Sequence, residues 1–263
     1  MGFYFIIFMA LVAVLAPMIA PYDPFEQYYG VGKQFRPPSL ENLMGTDRFG
    51  RDVLSRIIWG ARVSLFVGFF STAICMMIGV PFGAVAGYYS GRVDEVLMRV
   101  VDIFLVLPTF FLILVIVAVF GSSIWNVMIV IGITTWPNTA RLIRAEFLSL
   151  KEREFVQSAK TIGADDAHIM FREILPNAVY VAVVEGSLLI ASSVLTEASL
   201  SFLGLGDPNH ASWGWMLNDA MRSMRVAWWE SAFPGLVLTL VVTAFNLIGD
   251  GLNDALNPYL KER

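Results

Sequence analysis

Long uncharged runs recur along the chain, separated by stretches in which acidic and basic side chains cluster. A helix rising about 1.5 Å per residue needs about 20 mostly apolar residues to cross about 30 Å of hydrocarbon. Each run that meets this length is a predicted spanning helix. The first is Met1 to Tyr22, and the second lies between Arg62 and Arg92. Ile103 to Ala140 is uncharged throughout and too long for one crossing; Gly121-Ser122-Ser123 supplies turn-forming residues near its middle, which divides it into a third and a fourth span. The fifth runs from about Tyr180 to Leu205, interrupted by Glu185 and Glu197, and the sixth from about Ser231 to Gly249. The pattern predicts an all-α integral membrane protein of six transmembrane helices, read as a single domain over 1–263. Its parts are a first span at about 1–20, an outer loop at 21–61, a five-helix core at about 62–253 and a polar loop at 143–177 between spans four and five. A cleaved signal peptide is the competing reading of the first run. The absence of a basic leading region and the length of the apolar stretch favour an uncleaved span.

The polar loop contains FVQSAKTIGADDAHIMFREILPN, from Phe155 to Asn177, and reads as two short helices meeting at Gly163. Phe155, Ala159 and Ile162 recur at i, i+4 and i+7, with Lys151, Glu152, Lys160 and Thr161 on the other faces. Gly163 is suited to the positive φ that ends a helix. Asp165 and Asp166 open the second helix, where a negative charge complements the helix dipole, and Arg172 sits near its other end. Its expected apolar face is Ala167, Met170, Phe171 and Ile174, and Pro176 is expected to stop it. Such a hairpin carries two apolar stripes, one to rest on the spanning helices and one to fit a groove on a partner. A loop lying along the membrane interface is the alternative.

Composition agrees with the hydropathy pattern and adds an orientation. The 263 residues are 57% hydrophobic and 15% charged, with a mean hydropathy of +0.66, which is too apolar for an ordinary soluble domain. A net charge of −4 argues against a nucleic-acid partner. Arg141, Arg144, Lys151, Arg153, Lys160 and Arg172 place the polar loop on the cytoplasmic side, and six crossings then place both termini there as well. The outer loop also carries Lys33, Arg36, Arg48, Arg51 and Arg56, balanced by nearby acids. Trp59, Trp125, Trp213, Trp215, Trp228 and Trp229 all fall near expected outer ends, as an interfacial aromatic belt would. Cys75, the single cysteine, excludes an intrachain disulfide and reads as a packing residue.

In GTDRFGRDVLSR a turn at Gly45 to Gly50 precedes an amphipathic helix from about Asp52, with Val53, Leu54, Ile57, Ile58 and Ala61 on one face. The expectation is an anchor lying in the outer interface. Asp102, Glu185, Glu197 and Asp250 lie within or at the ends of the spans, where a charge is costly and faces a partner or a wet cavity. The first three are candidates for a translocation path, with an interhelical structural pair as the alternative. No G-x-x-x-x-G-K-[ST] phosphate loop is present, so the chain itself is not expected to bind ATP. His168 and His210 show no zinc-protease spacing, and no G-x-S-x-G nucleophile elbow occurs. No catalytic constellation and no metal site is therefore expected on this chain.

The stretch EFVQSAKTIGA followed by ILPN resembles the cytoplasmic "EAA" loop of ABC-importer permeases. The name-giving Glu-Ala-Ala falls here on Gln157, Ser158 and Ala159, so two of the three letters depart, and Glu154 stands nearby as a substitute for the glutamate. APMIAPYDP, MGTDRFGRDVLSRIIWGARVSL, GRVDEVLMRVVDIFLVLP, EASLSFLGLG and FNLIGDGLNDALNP extend the likeness over nearly the whole chain. They are similar to the "C"-type transmembrane subunit of the dipeptide/oligopeptide/nickel branch. That resemblance implies a permease in the cytoplasmic membrane of a prokaryote, moving a dipeptide, an oligopeptide, nickel or another small solute by alternating access. Its implied partners are a homologous second permease, two ATP-binding cassette subunits that carry ATP and Mg, and an extracytoplasmic solute-binding protein. The ATPase-coupling loop would use Glu154, Phe155, Gln157, Ser158, Ala159, Gly163, Ala164 and Pro176, and an outer docking surface would include Asp47, Arg51, Asp52, Arg56, Trp213 and Trp215. A secondary transporter working without ATPases is the competing class; it would need its own coupling-ion site around a repeat axis, and no repeat is apparent.

Overall fold

The computed structural model describes residues 2–28 and 32–256, and among these no strand forms; a lone antiparallel bridge joins Thr46 to Asp52. Nine helical elements follow in chain order: α1 (Gly2–Ile19), α2 (Val53–Tyr89), α3 (Gly91–Val106), α4 (Thr109–Phe120), α5 (Ile124–Lys151), α6 (Glu154–Thr161), α7 (Asp166–Leu205), α8 (Trp213–Ala220) and α9 (Trp229–Leu256). By length and hydropathy α1, α2, α7 and α9 are able to cross a membrane, and α3 with α4 makes a fifth if the bent pair counts as one crossing. The expected six is not reached on these criteria. The long uncharged run breaks at Gly121-Ser122-Ser123, but it also breaks at Leu107-Pro108, where the helix axis turns by 75°. Leu107 precedes a proline and is held extended, at φ −90° and ψ 134°, which stops α3 there. Helix α5 has 28 residues, but its second half carries Arg141, Arg144, Glu146 and Lys151. Three of these are absorbed by neighbours: Arg144 forks onto Asp94, Arg141 pairs with Asp102, and Lys151 donates to the Tyr88 carbonyl.

Helices α2 and α5 form the central pair, and a row of small residues lets their backbones approach. Gly79, Gly83 and Gly87 lie at i, i+4 and i+8 on the face of α2 that meets α5. A Cβ at Gly87 would lie 2.6 Å from the Cβ of Phe147, and one at Gly83 would run into the Ala140 carbonyl. Across the same seam a Cβ on Gly132 would lie 2.6 Å from the Cβ of Ile74.

The contacts at the helix termini sort into two ends. At one, Tyr88, Ile143, Phe147, Val156, Ile169 and Ile174 share a buried cluster, which fixes α6 and the start of α7 beneath α2 and α5. At the other, α1, the start of α2, α8 and the start of α9 pack around Ile57, Trp213 and Trp229. The segment from Asp52 is therefore not a separate interfacial helix. Asp52 caps α2 by accepting from the Ser55 N–H at 2.8 Å, and Val53, Ile57 and Ala61 are buried against protein. Trp213 and Trp229 are likewise core residues, their indole N–H groups donating to the carbonyls of Ile57 and Thr46, both at 3.1 Å. Trp125 and Trp228 do lie exposed.

Pro176 does not stop the second hairpin helix, because α7 continues through it. The turns at Ile169–Ile174 are widened to i→i+5 spacing directly before the proline. Proline has no N–H to give and its ring crowds the carbonyl four residues back, and a widened turn accommodates both.

Candidate functional site

The hairpin is built on a rigid base. Lys151 Nζ donates to the Tyr88 carbonyl at 2.5 Å and to Ser90 Oγ at 3.2 Å, tying the end of α5 to the end of α2. Tyr88 Oη then donates to Asp166 Oδ1 at 2.6 Å, tying α2 to the start of α7. Between them α6 ends in a two-bond glycine cap. Gly163 adopts φ +84°, its N–H donates to the Lys160 carbonyl at 3.0 Å, and the Ala164 N–H reaches back to the Ala159 carbonyl at 3.1 Å. The side chains of Ala159 and Ala164 meet in the same buried cluster, the apolar contact that accompanies this cap. Asp165 caps the next helix by accepting from the His168 N–H at 3.2 Å.

Packing buries part of the apolar faces read in the sequence, Ala159, Met170 and Ile174, and adds Val156 and Ile169 to them. Val156 and Ala159 are buried on α6, and Ile169, Met170 and Ile174 on α7. Phe155, Ala167 and Phe171 stay exposed, as does Ile162 at 85%. They stand among Gln157, Ser158, Lys160, Asp165 and Arg172, which are also exposed. The hairpin thus leaves large apolar side chains uncovered by the rest of the chain. Glu154 lies exposed in the first turn of α6, and Pro176 lies exposed in α7.

The residues expected as an outer docking surface are buried instead. Asp47 and Asp219 sit between three guanidinium groups: Asp47 accepts from Arg51 Nε at 2.6 Å and Arg56 Nη1 at 2.8 Å, and Asp219 accepts from Arg48, Arg51 and Arg56 at 3.0, 2.7 and 3.1 Å. Asp47 also takes the backbone N–H groups of Phe49 and Arg51. Asp52 is occupied by Ser55 and Asn42, Trp213 is fully enclosed, and Trp215 is half-buried. The charges of GTDRFGRDVLSR thus face inward because Asp219 supplies the anion that two arginines share. Asp219, Arg48, Tyr88 and Asp94 carry this architecture, and no local periodicity marked them.

The three candidate path carboxylates are not gathered at one point. Asp102 is half-exposed and paired with Arg141 at 2.5 Å. Glu197 is buried and accepts from Ser201 Oγ at 2.6 Å, while its second oxygen has no hydrogen-bond partner among the described residues. Glu185 is half-buried on the same helix, 12 residues and so about 18 Å from Glu197. Asp250 lies exposed on α9. Near Glu197, Asp207 accepts from the Ile124 N–H at 3.2 Å and the Asn209 N–H at 2.9 Å and touches His210 Nδ1 at 3.0 Å. Burial alone would raise the Asp207 carboxyl, but these donors outweigh it and hold the group below its ordinary value. Cys75 is buried, and no cluster of three metal-ligating side chains occurs among the described residues.

A family model described as "Binding-protein-dependent transport system inner membrane component" matches residues 79–262, and one described as "N-terminal TM domain of oligopeptide transport permease C" matches 1–38. The chain is 43% identical over 258 residues to the glutathione transport system permease protein GsiD of Pectobacterium atrosepticum, covering 98% of this chain and 85% of that protein. It is 36% identical over 262 residues to the dipeptide transport system permease protein DppC of Bacillus subtilis, covering 99% and 81%. Among solved structures, it matches a chain of an inward-facing MetNI methionine ABC transporter with a TM-score of 0.63, covering 77% of this chain and 96% of that one. Identity there is 17%, so this likeness concerns the fold.

Proposed function

The chain belongs to the binding-protein-dependent transport system inner membrane component family and is a permease subunit of an ABC importer; from that premise we propose that its cargo is a short peptide and that the α6–α7 hairpin is its coupling element. The relatives that match nearly the whole chain carry glutathione and dipeptide in their names, which supports a small peptide over other solutes. The topology that fits best has six crossings, with α5 as the fourth and α3 plus α4 as the third. The hairpin and both termini then lie on the cytoplasmic side of a prokaryotic cytoplasmic membrane. The Tyr88–Asp166 and Lys151–Tyr88 contacts and the Asp219 cluster fall at opposite ends, as that alternation requires.

The observation that carries the coupling role is that Phe155, Ile162 and Phe171 are left exposed on a hairpin whose base is clamped to α2 and α5. A cleft on an ATP-binding cassette subunit that closes on ATP would grip these side chains, and the clamp would pass the displacement to the spanning helices as a rigid body. ATP and Mg would reside on two such subunits, a homologous permease would complete the pathway, and a solute-binding protein would meet the outer end. Glu154, Gln157 and Ser158 would add polar contacts to the ATPase. Glu185, half-buried in a spanning helix, is the path carboxylate best placed to meet a peptide's ammonium group. The test is reconstitution with the partner subunits and a labelled dipeptide. Uptake that requires ATP and the ATPases supports the reading, and uptake by this chain alone would overturn it.

A further inference from the structure

A groove of about 810 Å³ opens between α1, the start of α2, the start of α5 and the loop ending at Ala211. Arg62, Asn209 and His210 line it and are its polar side chains capable of meeting an anion, while Val14, Phe66 and Phe69 are among its apolar walls. Arg62 is exposed and has no carboxylate within ion-pair distance among the described residues; its guanidinium stands 5.9 Å from the Trp59 ring. His210 engages Asp207 through Nδ1, which orients the ring, and Nε2 has no partner among the described residues. The level of this site along the molecule follows from helix geometry. Arg62 precedes Tyr88, at the hairpin end of α2, by 26 residues, or about 39 Å. A bilayer with its headgroups is about 40–45 Å thick, which puts Arg62 in the headgroup layer of the leaflet away from the hairpin. Trp59 and Trp125 line the groove as well, as rings at that level do. From Arg62 to Phe69 the wall descends about 10 Å into the hydrocarbon layer.

We propose that this groove holds a phospholipid, its phosphate on Arg62, Asn209 and His210 and an acyl chain along Val14, Phe66 and Phe69. Charge complementarity selects this occupant. A peptide brings an ammonium as well as a carboxylate, and the groove lining includes no acidic residue. An anion with an apolar tail matches both halves of the groove. Val14, Phe66 and Phe69 are also exposed, at 73%, 46% and 48%, so the apolar wall can be reached from outside the chain.

The experiment uses the intact importer, permease pair and ATPases together, in nanodiscs of phosphatidylcholine carrying a trace of diazirine-labelled phosphatidylglycerol, with crosslinked peptides mapped by mass spectrometry. Crosslinks are expected on the segments containing Val14 and Phe66–Phe69, reduced about tenfold in Arg62→Glu, the loss of about 1.4 kcal/mol of binding, and retained in Arg62→Lys. Copurification of the ATPases confirms that each variant assembles. Three results overturn the proposal: labelling indifferent to Arg62→Glu, which marks ordinary bilayer contact; no labelling because the second permease covers the groove; or labelling displaced by the transported peptide.

Discussion

At the scale of single residues, the hairpin turns on Gly163. Its φ of +84° is left-handed, and open space surrounds the position where a side chain would begin. Gly163→Ala therefore meets no clash and should cost only the backbone strain of about 1–2 kcal/mol, leaving most ATP-driven uptake. Gly163→Pro cannot adopt that φ and removes the N–H that reaches Lys160. It should abolish uptake while membrane insertion persists, which a transport assay beside a membrane-fraction blot will check. Asp219 is a second single-residue test. Asp219→Ala leaves the buried guanidinium groups of Arg51 and Arg56 with Asp47 as their one remaining carboxylate among the described residues and breaks two buried pairs, where one broken buried pair costs about 3–5 kcal/mol. A thermal scan of the purified complex should show a marked drop in Tm, whereas Arg36→Ala, removing an exposed pair with Glu41, should leave Tm within error. The family resemblance implied that Asp47, Arg51, Asp52 and Arg56 belong to an outer docking surface. What reverses that reading is a partner 163 to 171 residues away, and no local pattern carries such information.

At the scale of elements, hydropathy marked the apolar runs, and it did so because a bilayer-crossing segment must satisfy its backbone within itself and hide few charges. It failed where a helix is not straight or not uniform. The bend at Leu107-Pro108 divides an uninterrupted apolar run, and α5 crosses from an apolar half into a charged one whose partners come from α2 and α3. In the hairpin the two apolar stripes were legible but their assignment was not. Phe155, Ala159 and Ile162 share a periodic face, yet of these only Ala159 packs and Val156 joins it, since periodicity says that a helix has a sticky side and not which neighbour will cover it. The close seam between α2 and α5 makes a further prediction. Gly83→Leu drives a side chain into the Ala140 backbone and Ile143, and overpacking of this kind costs about 1–3 kcal/mol or more where backbone cannot yield. Lower yield of folded complex in detergent is expected for Gly83→Leu, while Gly91→Ala, at an exposed turn with nothing within 4 Å, should assemble far better.

At the scale of the whole molecule, the two ends are built differently. One end is locked by the Asp47–Asp219 arginine cluster and the buried Trp213 and Trp229; the other is a hairpin clamped at its base and apolar at its tip. On the proposed reading the hairpin end works as a lever moved by partner ATPases, in keeping with the lack of a phosphate-binding loop in the sequence. The most direct measurement places single cysteines at Ile162 or Phe171 in a Cys75→Ser background, since Cys75 is the only native thiol. Crosslinking is then run in inverted membrane vesicles with and without ATP. Capture of a nucleotide-hydrolysing subunit from both positions, with a yield that changes on adding ATP, is the predicted result; a contradiction would be no such capture at either position, or modification of either cysteine by an impermeant reagent applied to the outside of intact cells.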